Sequence, residues 1–548
     1  DDNFNGGTLE SIVGSGYTSG KNVDVANLDD FDSFGESVSL NSAGDRLAVG
    51  AWQDDGAGNS ADNSGAAYLF SFTDGNFNGG TLESRIGKGY VGGKNMDVTN
   101  LEDSDSFGLG VSLNSAGDRL AVGAPFDDGA GNSAVNTGAA YLFSFSDTVF
   151  NGGSLESIVG KNYTGGKNVD VSNLENHYSY SFSVSLNGAG DRLASVGGDD
   201  RVGKVATKSS AVYLFSFTDA DFTGGTLVNK IDSSFINGNS NGVQVTLEDN
   251  DEFGSGVSLN GAGDRLAVGA DGDAGAGNLG TDIGAAYLFS FTDTDFTDGT
   301  LESTIGKGYT GGKNVDVASL EDGDEFGISL SLNEIGNRLA VGAVGDDGVG
   351  NAANNTGAAT LFSFADTEFN GGTLESTIGK GYTGGKNVNV ANLEDSDLFG
   401  SSVSLNGAGD RLAVGADGDA GAGNVANGAG SVYLVNFSDA DFNGGALEST
   451  IGSGYTGGKN VDVANLDNGD AFGSSVSLNG AGDRLAVGAD SDDGSGNAAS
   501  LVGATYLFSF ADTDFNGGTL ESTIGKGYAG GKNVDVANLD DDDFFGSG

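Results

Sequence analysis

Acidic and amide side chains recur at a spacing that suits a hard cation. Asp439, Asp441 and Asn443 are followed by glycine, and this order matches positions 1, 3, 5 and 6 of a calcium loop. The second half of the loop does not match, because the nearest glutamate, Glu448, stands at position 10 instead of 12. The pattern therefore predicts either a calcium site or a hairpin turn that uses the same residues for its geometry. The same spacing recurs at Asp512, Asp514 and Asn516.

A second candidate metal site combines two separate acidic segments. Asp127, Asp128 and Asn132 follow an apolar segment, and Asp103 and Asp105 lie in the acidic stretch that precedes it. If these segments meet at one end of neighbouring strands, their oxygens could surround Ca²⁺. The alternative is an acidic rim whose side chains are solvated and bind nothing.

One region of the chain departs from the rest in its charge. His177 is the only histidine, and Tyr178 and Tyr180 follow it where other segments carry acids. Three cations stand shortly after this region: Arg201, Lys204 and Lys208. A basic and aromatic spot on an acidic protein is a candidate binding site for an anionic or glycan ligand. Sequence drift in one repeat is the alternative explanation, and a lone histidine forms no recognisable catalytic triad.

The composition of the chain excludes several kinds of partner and several kinds of site. The chain has 548 residues and a formal net charge of −54, which repels nucleic acids and anionic lipid surfaces. It contains no cysteine, so disulfides, thiolate metal sites and cysteine nucleophiles are excluded. No apolar run approaches the roughly 18 residues of a membrane span, and an export signal or anchor is expected only outside this segment.

These residues are carried by a long internal repeat. The octet Gly-Asp-Arg-Leu-Ala-Val-Gly-Ala begins at positions 44, 117, 263, 409 and 482, and altered copies begin at 190 and 336. An alignment on Phe182 and its counterparts gives a 73-residue period, except for intervals of 75 and 71 on the two sides of Phe182. It predicts one array: a partial repeat at 1–33, repeats at 34–106, 107–181, 182–252, 253–325, 326–398, 399–471 and 472–544, and a further start at 545–548.

Each repeat is predicted to form one antiparallel sheet. Within 399–471, four short apolar or alternating segments at 399–405, 411–416, 431–437 and 447–451 are bounded by Gly, Asn and Asp. A long connector leads to the next repeat. Four strands and a crossing connector indicate an all-β, seven-bladed β-propeller.

The repeated motifs resemble a known family. Phe-Gly-x-x-Val-Ser-Leu, Leu-Ala-Val-Gly-Ala and Gly-Ala-Ala-Tyr-Leu-Phe are similar to the FG-GAP repeat of integrin-α-like propellers, and are clearest at 107–113, 120–125 and 138–143. The resemblance implies a seven-bladed propeller with a role in adhesion or extracellular recognition. Family members often carry an Asp-x-Asp-x-Asp-Gly calcium loop before the second strand. This chain has Leu-Asn-Gly-Ala-Gly-Asp-Arg at 405–411 instead, so calcium is not expected at that hairpin.

The ends and the cations complete the predictions. Residues 8–13 supply a surplus fourth strand, which indicates either a segment of a longer array or strand addition to a neighbouring molecule. One arginine and one lysine recur in nearly every repeat and are expected to pair with local acids.

From the composition, the repeats and the resemblance together, we expect a non-catalytic extracellular or cell-surface module that binds protein or glycan. A filament or surface-layer subunit is the alternative, and a hydrolase or lyase is the third possibility.

Overall fold

The computed structural model describes most of the chain. The described residues are 13–14, 23–24, 34–73, 77, 79–174, 176–177, 179–197, 211–232, 243–248, 250–278, 280–293, 296, 299–351, 353–493, 503–511, 515, 519–525 and 534–535. All regular elements are strands. Among the described residues, no helix has the length and hydropathy needed to cross a lipid bilayer.

The strands form one short pair and seven five-stranded sheets. The short pair is β1 (Val13–Gly14) and β2 (Val23–Asp24). Blades 1 to 3 comprise β3 (Phe34–Leu40), β4 (Arg46–Ala51), β5 (Ala66–Ser71), β6 (Thr81–Gly87), β7 (Met96–Asp97); β8 (Val111–Leu113), β9 (Arg119–Ala124), β10 (Ala139–Ser144), β11 (Ser154–Gly160), β12 (Val169–Asp170); β13 (Tyr180–Leu186), β14 (Arg192–Gly197), β15 (Ala211–Ser216), β16 (Thr226–Asp232), β17 (Val243–Gln244).

Blades 4 to 7 repeat this order. They comprise β18 (Phe253–Leu259), β19 (Arg265–Ala270), β20 (Ala285–Ser290), β21 (Thr300–Gly306), β22 (Val315–Asp316); β23 (Phe326–Leu332), β24 (Arg338–Ala343), β25 (Ala358–Ser363), β26 (Thr373–Gly379), β27 (Val388–Asn389); β28 (Val403–Leu405), β29 (Arg411–Ala416), β30 (Ser431–Asn436), β31 (Ala446–Gly452), β32 (Val461–Asp462); β33 (Phe472–Leu478), β34 (Arg484–Ala489), β35 (Ala504–Ser509), β36 (Thr519–Gly525), β37 (Val534–Asp535).

The predicted all-β, seven-bladed propeller is confirmed, with one addition to each blade. The first four strands are antiparallel neighbours, as expected. A fifth, two-residue strand from the connector pairs in parallel with the fourth, as in Ile451 with Val461 and Gly452 with Asp462. This strand covers the outer edge of the blade, which would otherwise expose unpaired backbone groups. The connector was predicted only as a link between repeats.

The hydrophobic core lies between blades and not within them. Strands such as β9, β10 and β29 are buried on nearly every residue, because both faces of each sheet contact a neighbouring sheet. Ala48, Leu69 and Ile86 of blade 1, for example, pack in one cluster with Val122 and Tyr141 of blade 2. No blade can bury its apolar surface alone, so stability depends on completing the ring.

Backbone hydrogen bonds close the ring at the hairpins between first and second strands. Ser42 donates its N–H to Ser115 O at 3.2 Å, and the last bond in the circle runs from Gly480 N–H to Ser42 O, also at 3.2 Å. The other members are Gly188, Gly261, Glu334 and Gly407, each bonded to the next. This circle of seven N–H···O=C bonds surrounds the axis, and the seventh blade thereby contacts the first.

Of the predicted surplus strand at 8–13, residues 8–12 lie outside the described part of the chain, and Val13 lies at the seam of the ring. Strand β1 pairs in parallel with β2 through Val13 and Val23. β1 lies against β36 and β37, and β2 lies against β6. The pair therefore lies between the outer strands of the last blade and the first.

Candidate functional site

Of the described candidate residues, Asp127, Asp128, Asn132 and His177 lie on one face of the ring. The loops between second and third strands and the connectors between blades meet there, as shown by hydrogen bonds from Ser104 N to Asp62 O at 2.7 Å and from Phe107 N to Ser64 O at 3.1 Å. We call this the loop face. The innermost strand of each blade begins on this face, so the start of that strand borders the mouth of the central channel.

Asp127 is buried on the loop face within a tyrosine network. Its Oδ2 accepts hydrogen bonds from Tyr141 Oη at 2.6 Å and Tyr163 Oη at 2.9 Å, and its Oδ1 accepts one from Gly129 N at 2.7 Å. Burial raises the pKa of Asp127, while these hydrogen bonds oppose the rise. The carboxylate therefore anchors the third strand and the connector to the loop that follows the second strand.

A second buried carboxylate stands beside it. Asp105 accepts a hydrogen bond from Glu102 N through Oδ2. Burial and the nearby charge of Asp127 both raise its pKa. Asp105 and Asp127 of the two acidic segments therefore lie close together, whereas a cation between the segments stays a prediction. The same interaction recurs in later blades: Asp324 with Asp346, Asp397 with Asp419, and Asp470 with Asp492.

The other members of this predicted cluster have separate positions. Asp128 Oδ1 accepts a hydrogen bond from Asn136 N at 2.7 Å, which closes its own loop. Asn132 is exposed and adopts a positive φ of 50°, in a turn that bonds to Gly129 O. Both residues shape the loop between the second and third strands.

Asp439 caps a turn on the opposite face of the ring. Its Oδ1 accepts hydrogen bonds from Asp441 N at 3.1 Å and Asn443 N at 3.2 Å, and Asn443 Nδ2 also donates to this carboxylate. These bonds lower the pKa of Asp439. They hold Phe442 at a φ of 57° with its ring fully buried against Phe437. The second copy, Asp512, Asp514 and Asn516, lies outside the described residues.

The recurring cations form contacts within and between blades, as predicted. Arg338 Nη2 forms an ion pair with Asp441 Oδ1 of the next blade at 2.5 Å. Lys386 pairs with Glu375 of its own blade and also donates to Asp441 O. In blades 1, 2, 4 and 5 these cations link the blade to the turn of the blade that follows.

Comparison with known proteins agrees with this repeated architecture. A family model described as "FG-GAP repeat" matches residues 27–70 and 99–143. The chain carries FG-GAP repeats at these two segments, which overlap the first and second repeats of the array. The second segment contains the three motifs at 107–113, 120–125 and 138–143.

Other comparisons give distant similarity. The sequence has no match among curated proteins. Among solved structures, the β-propeller domain of Myceliophteria thermophila Cps50 (Swd1) is 11% identical, with 84% of this chain and 96% of that chain covered and a TM-score of 0.42. Saccharomyces cerevisiae Sqt1 is 10% identical, with coverage of 93% and 88% and a TM-score of 0.42.

Calcium binding by these FG-GAP repeats stays a prediction. Within the part of the chain that the structure describes, no group of three or more His, Asp or Glu side chains is placed to hold a metal ion. If calcium binds the folded chain at Asp127 and Asp105 or at Asp439, millimolar CaCl₂ will raise the midpoint of thermal unfolding relative to EDTA. MgCl₂ is the control for ionic strength. A midpoint that CaCl₂ does not change would contradict calcium binding by the folded chain.

The third repeat of the array requires a correction in its alignment. Tyr180, not Phe182, occupies the core position of the repeated phenylalanine: it is fully buried, pairs with Gly197, and packs edge-to-face on Tyr213 at 5.2 Å. With Tyr180 in this place, every interval is 73 residues. The prediction that Tyr180 binds a ligand is therefore wrong, because its side chain is enclosed between blades.

The remaining third-repeat residues are only partly described. His177 lies half-buried on the loop face with a φ of 61°, and its N–H donates to Val135 O at 2.7 Å. The other predicted ligand-binding residues lie outside the described part of the chain: Tyr178, Arg201, Lys204 and Lys208.

The buried hydroxyl of Tyr180 predicts a stabilising substitution. Tyr180 Oη and Ser195 Oγ are buried beside each other without a hydrogen bond of normal geometry, and other repeats have Phe and Val here. Replacement of both residues, Tyr180→Phe with Ser195→Val, removes two poorly bonded polar groups and restores the apolar pair of the other repeats. We expect a gain of about 1 kcal/mol in the free energy of unfolding, measured by urea denaturation. A loss of stability would contradict this interpretation.

Phe182, which the alignment placed in the core, is instead 38% exposed on the loop face. Its ring contacts Phe126 of the preceding blade edge-to-face, with centroids 6.0 Å apart. No other repeat has an aromatic residue at either position: serine stands at that of Phe182 in blades 4, 6 and 7, with Glu36, Leu109 and Ile328 in the rest. A strict 73-residue alignment would have identified this aromatic pair from the sequence.

Proposed function

We propose that this chain is a non-catalytic binding module that acts outside the cell or at the cell surface, in adhesion to a protein or glycan. The observation that carries the proposal is the Phe126–Phe182 pair, which interrupts a nearly uniform ring with exposed aromatic surface. Exposed aromatic side chains on an otherwise polar surface are typical of recognition sites.

The charge and the chemistry of the loop face support this function over the alternatives. The net charge of −54 disfavours nucleic acid and anionic lipid as partners. The buried carboxylates beside Asp127 have tyrosine and backbone partners, so they resemble structural groups more than an acid and base pair for hydrolysis. The absence of catalysis stays a prediction.

Retention on defined surfaces tests the proposal. Beads that carry the protein are passed over immobilised extracellular proteins and oligosaccharides, with an albumin-coated surface as background. We expect retention by the native chain and by Val425→Ser, which removes a 77% exposed side chain from another blade. Phe182→Ser introduces the residue of blades 4, 6 and 7 and should lose retention. If Phe182→Ser and Val425→Ser are retained equally, the Phe126–Phe182 pair is not the binding site.

A structural filament is the alternative that the repeated sequence raised. The hydrogen bond from Gly480 N–H to Ser42 O joins the last blade to the first, so each ring is closed without a neighbouring molecule. This closure favours a discrete module. Light scattering distinguishes the two: a module gives particles of one or a few chains, whereas a filament grows with protein concentration.

A further inference from the structure

The channel mouth on the loop face is not uniform around the ring. Phe126 and Phe182 supply an aromatic side on blades 2 and 3. In blade 4 the position of Phe182 is occupied by Ser255, whose side chain is exposed. The inner strands of blades 3 and 4 pack against each other, so blade 4 is the next blade around the ring after the aromatic side.

Blade 4 and the start of blade 5 supply an acidic side. Its members, which we call the acidic arc, are Glu252, Asp271, Asp282 and Glu325. Asp282 and Glu325 are adjacent, because Glu325 N donates to Asp282 O at 3.0 Å. Ser106, Leu398 and Ala471 stand at the position of Glu252 in other described blades, whereas Glu325 repeats the acid in the next one, so these four acids meet at the boundary of blades 4 and 5.

Asp271 is the most buried member of the acidic arc. The residue is 7% exposed, and its carboxylate is stabilised by the Ser255 hydroxyl and Gly272 N–H, while Oδ1 has no hydrogen bond of normal geometry. Its charge acts on Glu252 and Glu325, and that of Asp282 acts on Asp271, so the four groups belong to one cluster. A hydroxyl or N–H group of a ligand can supply a well-aligned donor to Oδ1.

The chemistry of the two sides selects among ligand classes. Crowded carboxylates repel sulfated or sialylated ligands. No three of the described acids stand close enough to hold a bare metal ion. A basic peptide would have to bury a charged donor beside Asp271, which costs more desolvation than a neutral hydroxyl does.

We propose that the mouth of the channel binds a neutral sugar, with the apolar face of a pyranose ring on Phe126 and Phe182 and its hydroxyl groups donating to the acidic arc. A sugar presents C–H groups on one face and several O–H donors at its edge, which matches an aromatic side next to a carboxylate side. This inference rests on the proposed binding function and specifies its ligand class.

Titration calorimetry with neutral oligosaccharides tests the inference. The probes are β-linked gluco-, manno- and galacto-oligosaccharides, with a sialylated and a sulfated oligosaccharide and an arginine-rich peptide for comparison. We expect binding of at least one neutral probe. Phe182→Ser and Asp282→Asn, each of which copies another repeat, should weaken it at least tenfold, whereas Val425→Ser should not.

Three results would overturn the inference: no heat with any neutral probe, preference for an anionic probe or the peptide, or unchanged affinity in Phe182→Ser. Circular dichroism melts confirm that each variant is folded. If the beads are retained on an extracellular protein while every neutral sugar fails, the ligand class is wrong and the binding function stands. If neither assay detects binding, both proposals fail.

Discussion

Gly357→Ala should destabilise the propeller by about 4 kcal/mol or more, although it adds only one methyl group. Gly357 forms a bridge to Phe399 of the next blade, and a Cβ at this position would lie 2.0 Å from Phe399 O. The obstructing atom belongs to the backbone of an inner strand, so relief requires the two blades to separate. Separation would expose the apolar surface that they share.

Gly350→Ala is the matched control for this prediction. Gly350 has a φ of 77°, almost the same as the 79° of Gly357, and a Cβ there would have no atom within 4 Å. It should therefore cost only the strain of a left-handed alanine, about 1 kcal/mol. Urea denaturation followed by tyrosine fluorescence measures both. Similar losses for the two variants would show that backbone strain, and not the contact between blades, governs the effect.

The architecture could be predicted from the sequence because every repeat carries the same apolar segments bounded by the same turn residues. Strands such as β29 and β30 lie within a residue of the expected bounds, since Gly and Asn clusters end each apolar segment. The fifth strand was missed because a two-residue Val-Asp segment carries no period of its own. It forms only when Ile451 and its neighbours provide an edge.

The candidate site was harder to predict because burial decides the role of an acidic residue. Asp127 and Asp439 have similar acidic surroundings in sequence. The structure shows that Asp127 is enclosed by Tyr141 and Tyr163, 14 and 36 residues further along the chain, while Asp439 caps a local turn. No short motif records partners at those separations. Phe182 was misplaced for a different reason, because the search followed phenylalanine where the core accepts tyrosine.

The buried carboxylate pairs predict a protein that is more stable in mild acid than in mild base. Burial is the largest cause that raises the pKa of Asp324 and Asp397 to about 7, and the pKa of Asp105 and Asp470 also lies far above the ordinary range. Their folded pKa exceeds the unfolded value of 3.8, so the folded state binds more protons between these values. This contribution is complete below about pH 4 and is lost as pH rises through 7 and beyond.

We therefore expect the thermal midpoint to fall by on the order of 5–10 °C between pH 5 and pH 9. Asp105→Asn removes one buried charge, so it should raise the midpoint at pH 9 and flatten its dependence on pH. Asp103→Asn, two residues away and exposed, changes the net charge equally and should leave the dependence intact. Measurements in 0.5 M NaCl separate the two effects, because salt screens surface repulsion much more than interactions within the buried pairs. A midpoint that rises with pH would show that the pairs are not buried acids.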